Sequence, residues 1–251
     1  WITTYGDRDG DGFVEYQRAT DKGLRNQGWK DSPDSIVHAD GRLAEPPIAL
    51  AEVQGYVYGA YLARAHFATE AGDAALAQHW GARAADLKRA FNEAFWLPDR
   101  GYYAMALDRD KRPVDALASN MGHCLWTGII DESRAESVVR HLMSPQMFSG
   151  WGIRTLASSM AAYNPMSYHN GSVWPHDNAI IAAGSVPAQP VVRLLGPDRA
   201  LSQGLGDGHG LGNRQLHRLA HPAALPHRIL AAPCQTTVVD ADDGGVSARL
   251  R

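Results

Sequence analysis

Residues 27–36, QGWKDSPDSI, hold the densest set of chemically useful side chains. Paired carboxylates can serve as a general acid and a general base, and an indole ring offers a flat apolar face. Glycine and proline in the same stretch predict a turn, where such groups suit a cleft better than a core. A solvated loop would explain the same letters without any chemistry. The candidate residues are Gln27, Trp29, Lys30, Asp31 and Asp34.

A second polar and aromatic cluster covers residues 168–178, YHNGSVWPHDN, ahead of a small-residue helix predicted over 179–184. Its flat rings suit the C–H faces of a sugar, while its carboxylate, amide and imidazole groups suit hydroxyls. The pattern therefore predicts a carbohydrate-binding surface, although Asp177 could equally be a favourable acid in a first helical turn. The candidates are Tyr168, His169, Asn170, Trp174, His176 and Asp177.

A further polar candidate, Glu52, lies on a helix that we expect to open at Pro46 and Pro47. Gly55 and Gly59 leave room beside Glu52, so this carboxylate is predicted to face a cavity, while a solvated position is the alternative. The buried stripe of the helix follows a 3–4 spacing through Leu50, Val53, Val57, Ala60 and Tyr61.

Near the start of the chain, Asp7, Asp9 and Asp11 match the first half of a calcium loop, D-x-D-x-D-G. The twelfth position is Arg18 where such loops carry Glu, although Glu15 falls at the ninth. Calcium is therefore a candidate ligand of the three aspartates, and no other cofactor or metal is expected. An Asp/Gly-rich turn ahead of a short strand over 13–16 explains the same letters.

The elements that position these groups are mostly helices. Gly72 ends the first helix and Asp73 caps a second, whose apolar period runs up to Pro98. Further helices are expected over 119–129 and 131–143, with a strand over 101–107 and a polar turn over 108–112. The expected fold is mainly α, built of helical hairpins with short β-hairpins in the loops.

Bulk properties restrict the partners. The 251-residue chain has a net charge of −3, which gives no reason to expect nucleic acid. It has no apolar run of about 18 residues, so no membrane span is expected. Its two distant cysteines favour a reducing, cytoplasmic location.

The sequence changes character after Gly184. Residues 185–251 contain no aromatic residue, Lys or Glu, and show no sustained period. We expect residues 1–184 to form one domain, with 185–251 a disordered tail or an out-of-frame translation. The chain also begins at Trp1 without Met, which suggests a piece of a larger protein.

Four stretches occur in a recognisable order: GWKDSPDSI at Gly28, EVQGYVYGAY at Glu52, SNMGHCLWTGI at Ser119 and YHNGSVWPHDN at Tyr168. Together they resemble the catalytic domain of bacterial amylo-α-1,6-glucosidase (glycogen debranching) proteins. Those belong with trehalase-, glucoamylase- and mannosylglycerate-hydrolase-like glycosidases. The resemblance covers about residues 1–184. It implies a partial (α/α)6 toroid and an inverting hydrolase acting on an oligosaccharide or α-glucan.

The resemblance also implies residue roles. It places the general acid at Asp31, with Asp34 as the other candidate. Burial beside Trp29 would help Asp31 keep its proton, whereas the adjacent Lys30 charge would oppose this. Lys30 should therefore point away from Asp31, at substrate hydroxyls or Asp34. The substrate-binding residues implied are Gln27, Trp29, Lys30, Asp34, Glu52, Gln54, Tyr168, His169, Asn170, Trp174, His176 and Asp177.

One departure from the family pattern concerns the catalytic base. In debranching relatives the base is a Glu downstream of the Tyr168 stretch, yet no Glu follows Glu136 here. We therefore expect an incomplete and inactive glycosidase fragment. The alternatives are a hydrolase of small glycosides such as mannosyl- or glucosylglycerate, a non-catalytic carbohydrate-binding remnant, or a calcium-dependent interaction module.

Overall fold

The computed structural model describes residues 1–185, which form a mainly helical domain with short antiparallel strands. A π-helical turn, Ile2–Gly6, comes first. The helices are α1 (Ala51–Glu70), α2 (Ala74–Ala94), α3 (Asn120–Thr127), α4 (Glu132–Leu142) and α5 (Pro175–Ser185). The strands are β1 (Ala49–Leu50), β2 (Trp96–Leu97), β3 (Tyr102–Tyr103), β4 (Ala106–Leu107) and β5 (Pro113–Val114). The predicted mainly α fold is confirmed.

Helices α1 and α2 form the predicted hairpin. Gly72 turns the chain with φ of +76°, and the Asp73 carboxylate accepts a 2.9 Å hydrogen bond from the backbone N–H of Leu76. Neither helix, nor any other in residues 1–185, combines the length and apolarity needed to cross a membrane.

The predicted start of α1 at Pro46 and Pro47 is wrong. The helix begins at Ala51, because the preceding residues are held extended by pairing with distant strands. Leu50 pairs with Ala106 in β4, and Ala60, placed in the buried stripe, is exposed.

Local pairing also changes the predicted strands. Residues 101–107 form two separate strands instead of one, since β3 pairs with β2 while β4 lies between β1 and β5. These residues are buried almost throughout, so their side chains do not alternate between core and solvent. The expected strand over 13–16 is reduced to a single bridge between Tyr16 and Ile48.

The main core lies where α2 packs against the β2–β3 hairpin. The Phe91 ring stacks on Phe95 at 4.6 Å and on Tyr103 at 5.3 Å, and Phe13 meets Phe95 edge-on. Offset and edge-to-face pairs of this kind add to the stabilisation from burial alone.

Helix α3 lies against both α1 and α5, and its close contacts depend on glycine. A Cβ added at Gly122 would lie 2.4 Å from Ile181 Cγ1, and one added at Gly55 would lie 2.7 Å from Thr127 Oγ1. The space beside Gly55 is therefore filled by α3, not left open as predicted. Helix α3 ends at Gly128, whose φ is +77°, and α5 starts at Pro175, four residues before its predicted start.

The predicted tail over 185–251 lies, apart from Ser185, outside the described residues.

The space around each glycine predicts opposite effects for two glycine substitutions, one at the α3–α5 contact and one on an open face of α2. Gly122→Ala should lower the free energy of unfolding by about 1–3 kcal/mol, because the buried Ile181 cannot move aside cheaply. Gly81→Ala, in the interior of α2 with no atom within 4 Å of the added Cβ, should raise it by about 0.5–1 kcal/mol. Urea unfolding of both variants measures this; equal effects would contradict the packing described.

Candidate functional site

The two polar and aromatic loops, residues 27–36 and 168–178, meet in space. Asn170 Nδ2 donates to the Asp34 carbonyl at 3.0 Å and to Asp34 Oδ2 at 3.2 Å, across 136 residues of sequence. Ser32 Oγ lies 2.9 Å from His169 Nδ1. These hydrogen bonds bring both loops into one cluster, and the roles of their residues stay predictions.

Lys30 lies beneath this cluster and is 1% exposed. Its ammonium donates to Asn120 Oδ1 at 2.7 Å and to the Thr155 carbonyl at 2.6 Å, and it lies 5.1 Å from the Trp29 ring centroid. The expectation that Lys30 points at Asp34 or at substrate is therefore wrong. Burial lowers the pKa of Lys30 to about 8, against the opposing charges of Asp177 and Glu52.

Glu52 is buried in the same cluster, which excludes the solvated alternative, while its position facing a cavity stays a prediction. Its Oε2 accepts a 2.9 Å hydrogen bond from Asn120 Nδ2, whereas Oε1 has no partner among the described residues. Burial raises the pKa of Glu52, and the Asn120 hydrogen bond and nearby His123 and Lys30 oppose that shift. Glu52 therefore keeps its proton to a higher pH than an exposed glutamate does.

A hydrogen-bonded chain links Tyr56, His123 and Asp177. Asp177 Oδ1 lies 2.8 Å from His123 Nε2, and the Tyr56 hydroxyl lies 2.5 Å from His123 Nδ1. With Asp177 ionised, Nε2 carries the proton and the Tyr56 hydroxyl donates to Nδ1. Asp177 is therefore more than a first-turn acid.

Sequence reasoning missed His123 and Asn120 as members of the site. Both lie on α3, within the SNMGHCLWTGI stretch that carried part of the family resemblance. That stretch was the available signal, since neither residue has a spacing that identifies it alone.

Trp29 is enclosed by three imidazoles. Its ring stacks on His123 at 5.8 Å and 9°, while His169 and His176 meet it edge-on at 5.4 and 4.9 Å. Trp174 in turn stacks on His169 at 5.6 Å. The contacts fix the indole plane of Trp29 within the cluster.

The aromatic surface continues outward through Tyr168. Its ring meets Trp174 edge-on at 4.8 Å and is 63% exposed. Trp174 Nε1 donates to the Tyr168 carbonyl at 2.8 Å, which holds the two residues together. An accessible aromatic surface of this kind can stack against a sugar ring.

Asp31 lies on the solvent side of the turn. Its side chain is 53% exposed, and Oδ1 lies 4.0 Å from His169 Nδ1. The expected burial of Asp31 beside Trp29 is therefore wrong. Gln27 and Asp34 are also exposed. Burial lowers the pKa of His169, helped by Lys30 and opposed by Asp31 and Asp34.

Gln54 does not join the cluster, contrary to its predicted role. Its Oε1 accepts from the backbone N–H of Val14 at 2.9 Å. Its Nε2 donates to the Val14 and Leu50 carbonyls at 2.8 and 3.0 Å. The amide thus fastens the N-terminal segment to α1.

Four buried polar atoms of the cluster have no hydrogen-bond partner among the described residues: Trp29 Nε1, Glu52 Oε1, Asn170 Oδ1 and Asp177 Oδ2. Buried polar groups in native proteins are nearly always paired, and each unpaired one costs about 1–3 kcal/mol. One donor and three acceptors are therefore available to hydrogen-bond a polar ligand or ordered water.

The candidate calcium ligands also come together. One oxygen each from Asp7, Asp9 and Asp11 lie within 4.8 Å of one another. The Lys111 ammonium lies 2.9 Å from Asp9 Oδ2 and 2.6 Å from Asp11 Oδ2, and it also contacts Glu15 Oε1. The hydrogen bond from Lys111 lowers the pKa of Asp9, and burial raises that of Glu15. An internal cation therefore already partly neutralises this cluster.

Comparison with known families gives one match that covers most of the chain. A model described as the mannosylglycerate hydrolase MGH1-like glycoside hydrolase domain matches residues 6–185. No protein of curated function matches the sequence significantly.

Solved structures with a similar fold include a sialidase, with a TM-score of 0.54 and 19% identity over 66% of this chain and 15% of the sialidase. Neutral trehalase Nth1 from Saccharomyces cerevisiae has a TM-score of 0.50 and 15% identity over 65% of this chain and 31% of the trehalase. The chain thus spans less than a third of either protein. At these identities the likeness concerns the fold alone, and it supports the predicted partial (α/α)6 architecture.

The burial of Lys30 predicts a particular pH dependence of stability. Between its folded pKa of about 8 and its ordinary value of 10.5, the unfolded chain binds the proton more tightly. The free energy of unfolding should therefore rise with pH in this window, by up to about 1.4 kcal/mol per unit.

Chemical denaturation of wild type and Lys30→Met at pH 7, 8, 9 and 10 measures this rise. The variant should lack the rise, and the exposed-lysine control Lys22→Met should behave as wild type. Parallel profiles for wild type and Lys30→Met would contradict the buried ammonium.

Proposed function

The chain belongs to the mannosylglycerate hydrolase MGH1-like glycoside hydrolase family, and on that basis we propose that its buried polar cluster binds one sugar ring beside Asp31. The observation that carries this proposal is the set of four unpaired buried polar atoms on Trp29, Glu52, Asn170 and Asp177. Sugar hydroxyls donate and accept, so one ring could pair with the donor and the acceptors alike. The exposed Tyr168 ring at the rim could cover an apolar face of the same sugar.

We further propose that Asp31 is the general acid. A half-exposed carboxyl at the rim can reach a glycosidic oxygen, while Lys30 is turned away into the protein. The His169 imidazole lies beside this carboxyl, with its Nδ1 4.0 Å from Asp31 Oδ1. Inversion also needs a second carboxylate about 6.5–9.5 Å away to hold the attacking water.

The second carboxylate is the missing part of the proposed reaction. In the debranching pattern it is a Glu downstream of Tyr168, and no Glu follows Glu136. Glu52 and Asp177 are buried and already engaged with Asn120 and His123. We therefore propose that this polypeptide binds sugar without measurable turnover.

The candidate substrates are short glycosides and α-1,6-linked α-glucans, and the family description favours the short glycosides. Short glycosides of the mannosylglycerate type fit a cluster that offers partners for one enclosed ring. The four sequence stretches instead suggest an α-1,6-linked α-glucan, acted on in the manner of amylo-α-1,6-glucosidases. We propose the short glycosides as the primary class. Affinities for mannosylglycerate, glucosylglycerate and the branched trisaccharide panose rank the two directly.

For Asp7, Asp9 and Asp11 we propose a weak calcium site in which the metal competes with the Lys111 ammonium. Oxygen-only ligands suit a hard cation. The local carboxylates outnumber the single lysine, so the position remains attractive to a divalent ion.

The sugar site predicts different effects for two tryptophan substitutions. Trp174→Ala removes the ring that supports Tyr168 and should weaken mannosylglycerate binding by roughly 2- to 12-fold, equivalent to about 0.5–1.5 kcal/mol. Trp151→Ala, which removes a 95% exposed ring from another loop, should leave binding unchanged. Isothermal titration calorimetry measures both. Equal affinities for the two variants would contradict the proposed site.

Hydrolysis assays on the same sugars address the catalytic part. We expect no turnover by the wild-type polypeptide. Turnover that Asp31→Asn abolishes and the exposed-turn control Asp99→Asn retains would support Asp31 as the acid but overturn the proposed lack of a base.

The calcium proposal predicts a dependence on Lys111. Calcium at millimolar concentration should raise the Tm of Lys111→Met by several degrees, raise that of wild type less, and leave Asp9→Ala unchanged. Thermal unfolding with calcium, and with magnesium as the control ion, measures the shifts. A calcium shift that persists in Asp9→Ala would exclude this cluster as the binding site.

A further inference from the structure

The buried site residues Trp29, Lys30, Glu52, Asn170 and Asp177 are called the Trp29 cluster below. A separate polar groove shares none of its lining residues with that cluster. It consists of two open depressions of about 530 and 380 Å³ that share Arg100. Volumes of roughly 300–1,000 Å³ are usual for small-molecule sites. We call it the Arg100 groove. The first depression is lined mainly by His38, Asp40, Arg42, Arg112, Pro113 and Asp115. The second is lined mainly by Tyr102, Leu117, His141, Ser144, Gln146 and Met160.

The guanidiniums of the groove are each paired with a carboxylate. Arg42 Nε lies 2.7 Å from Asp40 Oδ2, and Arg100 Nη2 lies 2.5 Å from Asp115 Oδ2. An anion entering the groove would have to displace these carboxylates or lie beside them.

The third guanidinium, that of Arg112, lies 3.1 Å from Asp108 Oδ2 and 2.8 Å from Asp110 Oδ2. Counting Asp108 and Asp110, which pair with Arg112 but do not line the groove, four carboxylates thus accompany the three guanidiniums. This charge balance disfavours a phosphate or carboxylate ligand and leaves many donors and acceptors facing solvent at no net positive charge.

The remaining lining supplies apolar contacts between the polar groups. Leu97 and Pro113 lie in the first depression, and Leu117 and Met160 in the second. The Tyr102 ring packs edge-on against His141 at 5.2 Å, and its hydroxyl donates to the Asp115 carbonyl at 3.0 Å. Dense hydrogen-bonding groups interrupted by small apolar surfaces suit neutral polyhydroxylated rings.

From these observations we infer that the Arg100 groove is a second saccharide-binding site, which takes a neutral oligosaccharide with sugar rings on both sides of Arg100. The paired guanidiniums donate to ring hydroxyls, and Asp40 and Asp115 accept from them. The site goes beyond the proposed function, because it needs neither Asp31 nor the Trp29 cluster.

Calorimetric titration with maltotriose, together with chemical-shift mapping, tests the inference. Arg100→Met should weaken the binding event at the groove by about fivefold or more, through the loss of hydrogen bonds from a charged donor. Arg89→Met, which breaks a comparable exposed pair with Asp86 on α2, should leave it unchanged. Arg112→Met is the second test should Arg100→Met unfold, and it should weaken the same event.

The Trp174→Ala variant distinguishes the two sites in the titration, because it should leave the Arg100-dependent binding of maltotriose intact. If that event persists while no Trp174-dependent event is found, the second site stands and the proposed function fails. Absence of maltotriose binding at the groove overturns the inference. Binding of inorganic phosphate there with displacement of maltotriose would show an anion site and overturn it equally.

Discussion

The burial of the Lys30 ammonium is the constraint on which the candidate site depends. A charged amine removed from water costs several kcal/mol unless hydrogen bonds and opposite charges compensate it. Here the compensation comes from Asn120 on α3 and from the Thr155 carbonyl, with Glu52 and Asp177 supplying negative charge. These partners come from separate parts of the chain, so satisfying one side chain brings the turn, three helices and a loop into a single arrangement.

The directions of the neighbouring side chains follow from that arrangement. With Lys30 held inward, Trp29 lies against the three imidazoles, while Asp31 is left on the solvent side. The turn therefore separates a buried structural charge from an accessible carboxyl in adjacent positions. Asn120 connects Glu52 with Lys30, because its amide nitrogen donates to Glu52 while its amide oxygen accepts from Lys30. Removing Asn120 would leave two buried charges without a shared partner.

The sequence predicted well where local physics decides the structure. Gly72, Asp73 and the apolar period of α2 fixed the helical hairpin, because caps and periodicity act over a few residues. The composition of the two loops was sufficient to identify both as candidate binding segments. The start of α1 was mistaken because β1 pairs with β4, which lies more than fifty residues away in the chain.

The missed features of the site all depend on long-range hydrogen bonds. The direction of Lys30 depends on groups 90 and 125 residues away, and the structural role of Gln54 depends on Val14, which is 40 residues away. His123 gains its place only through Tyr56 and Asp177. Residue type and spacing identify groups capable of chemistry, but they do not show which of those groups the fold already uses.

The central claim is that a sugar ring occupies the cluster above Lys30 and within reach of Asp31. The most direct measurement is a crystal structure of the Asp31→Asn variant with mannosylglycerate bound. We expect hydroxyls of one sugar ring to lie within hydrogen-bond distance of Glu52 Oε1 and Trp29 Nε1, with the glycosidic oxygen facing residue 31. A sugar bound elsewhere, with the cluster filled by ordered water alone, would contradict it.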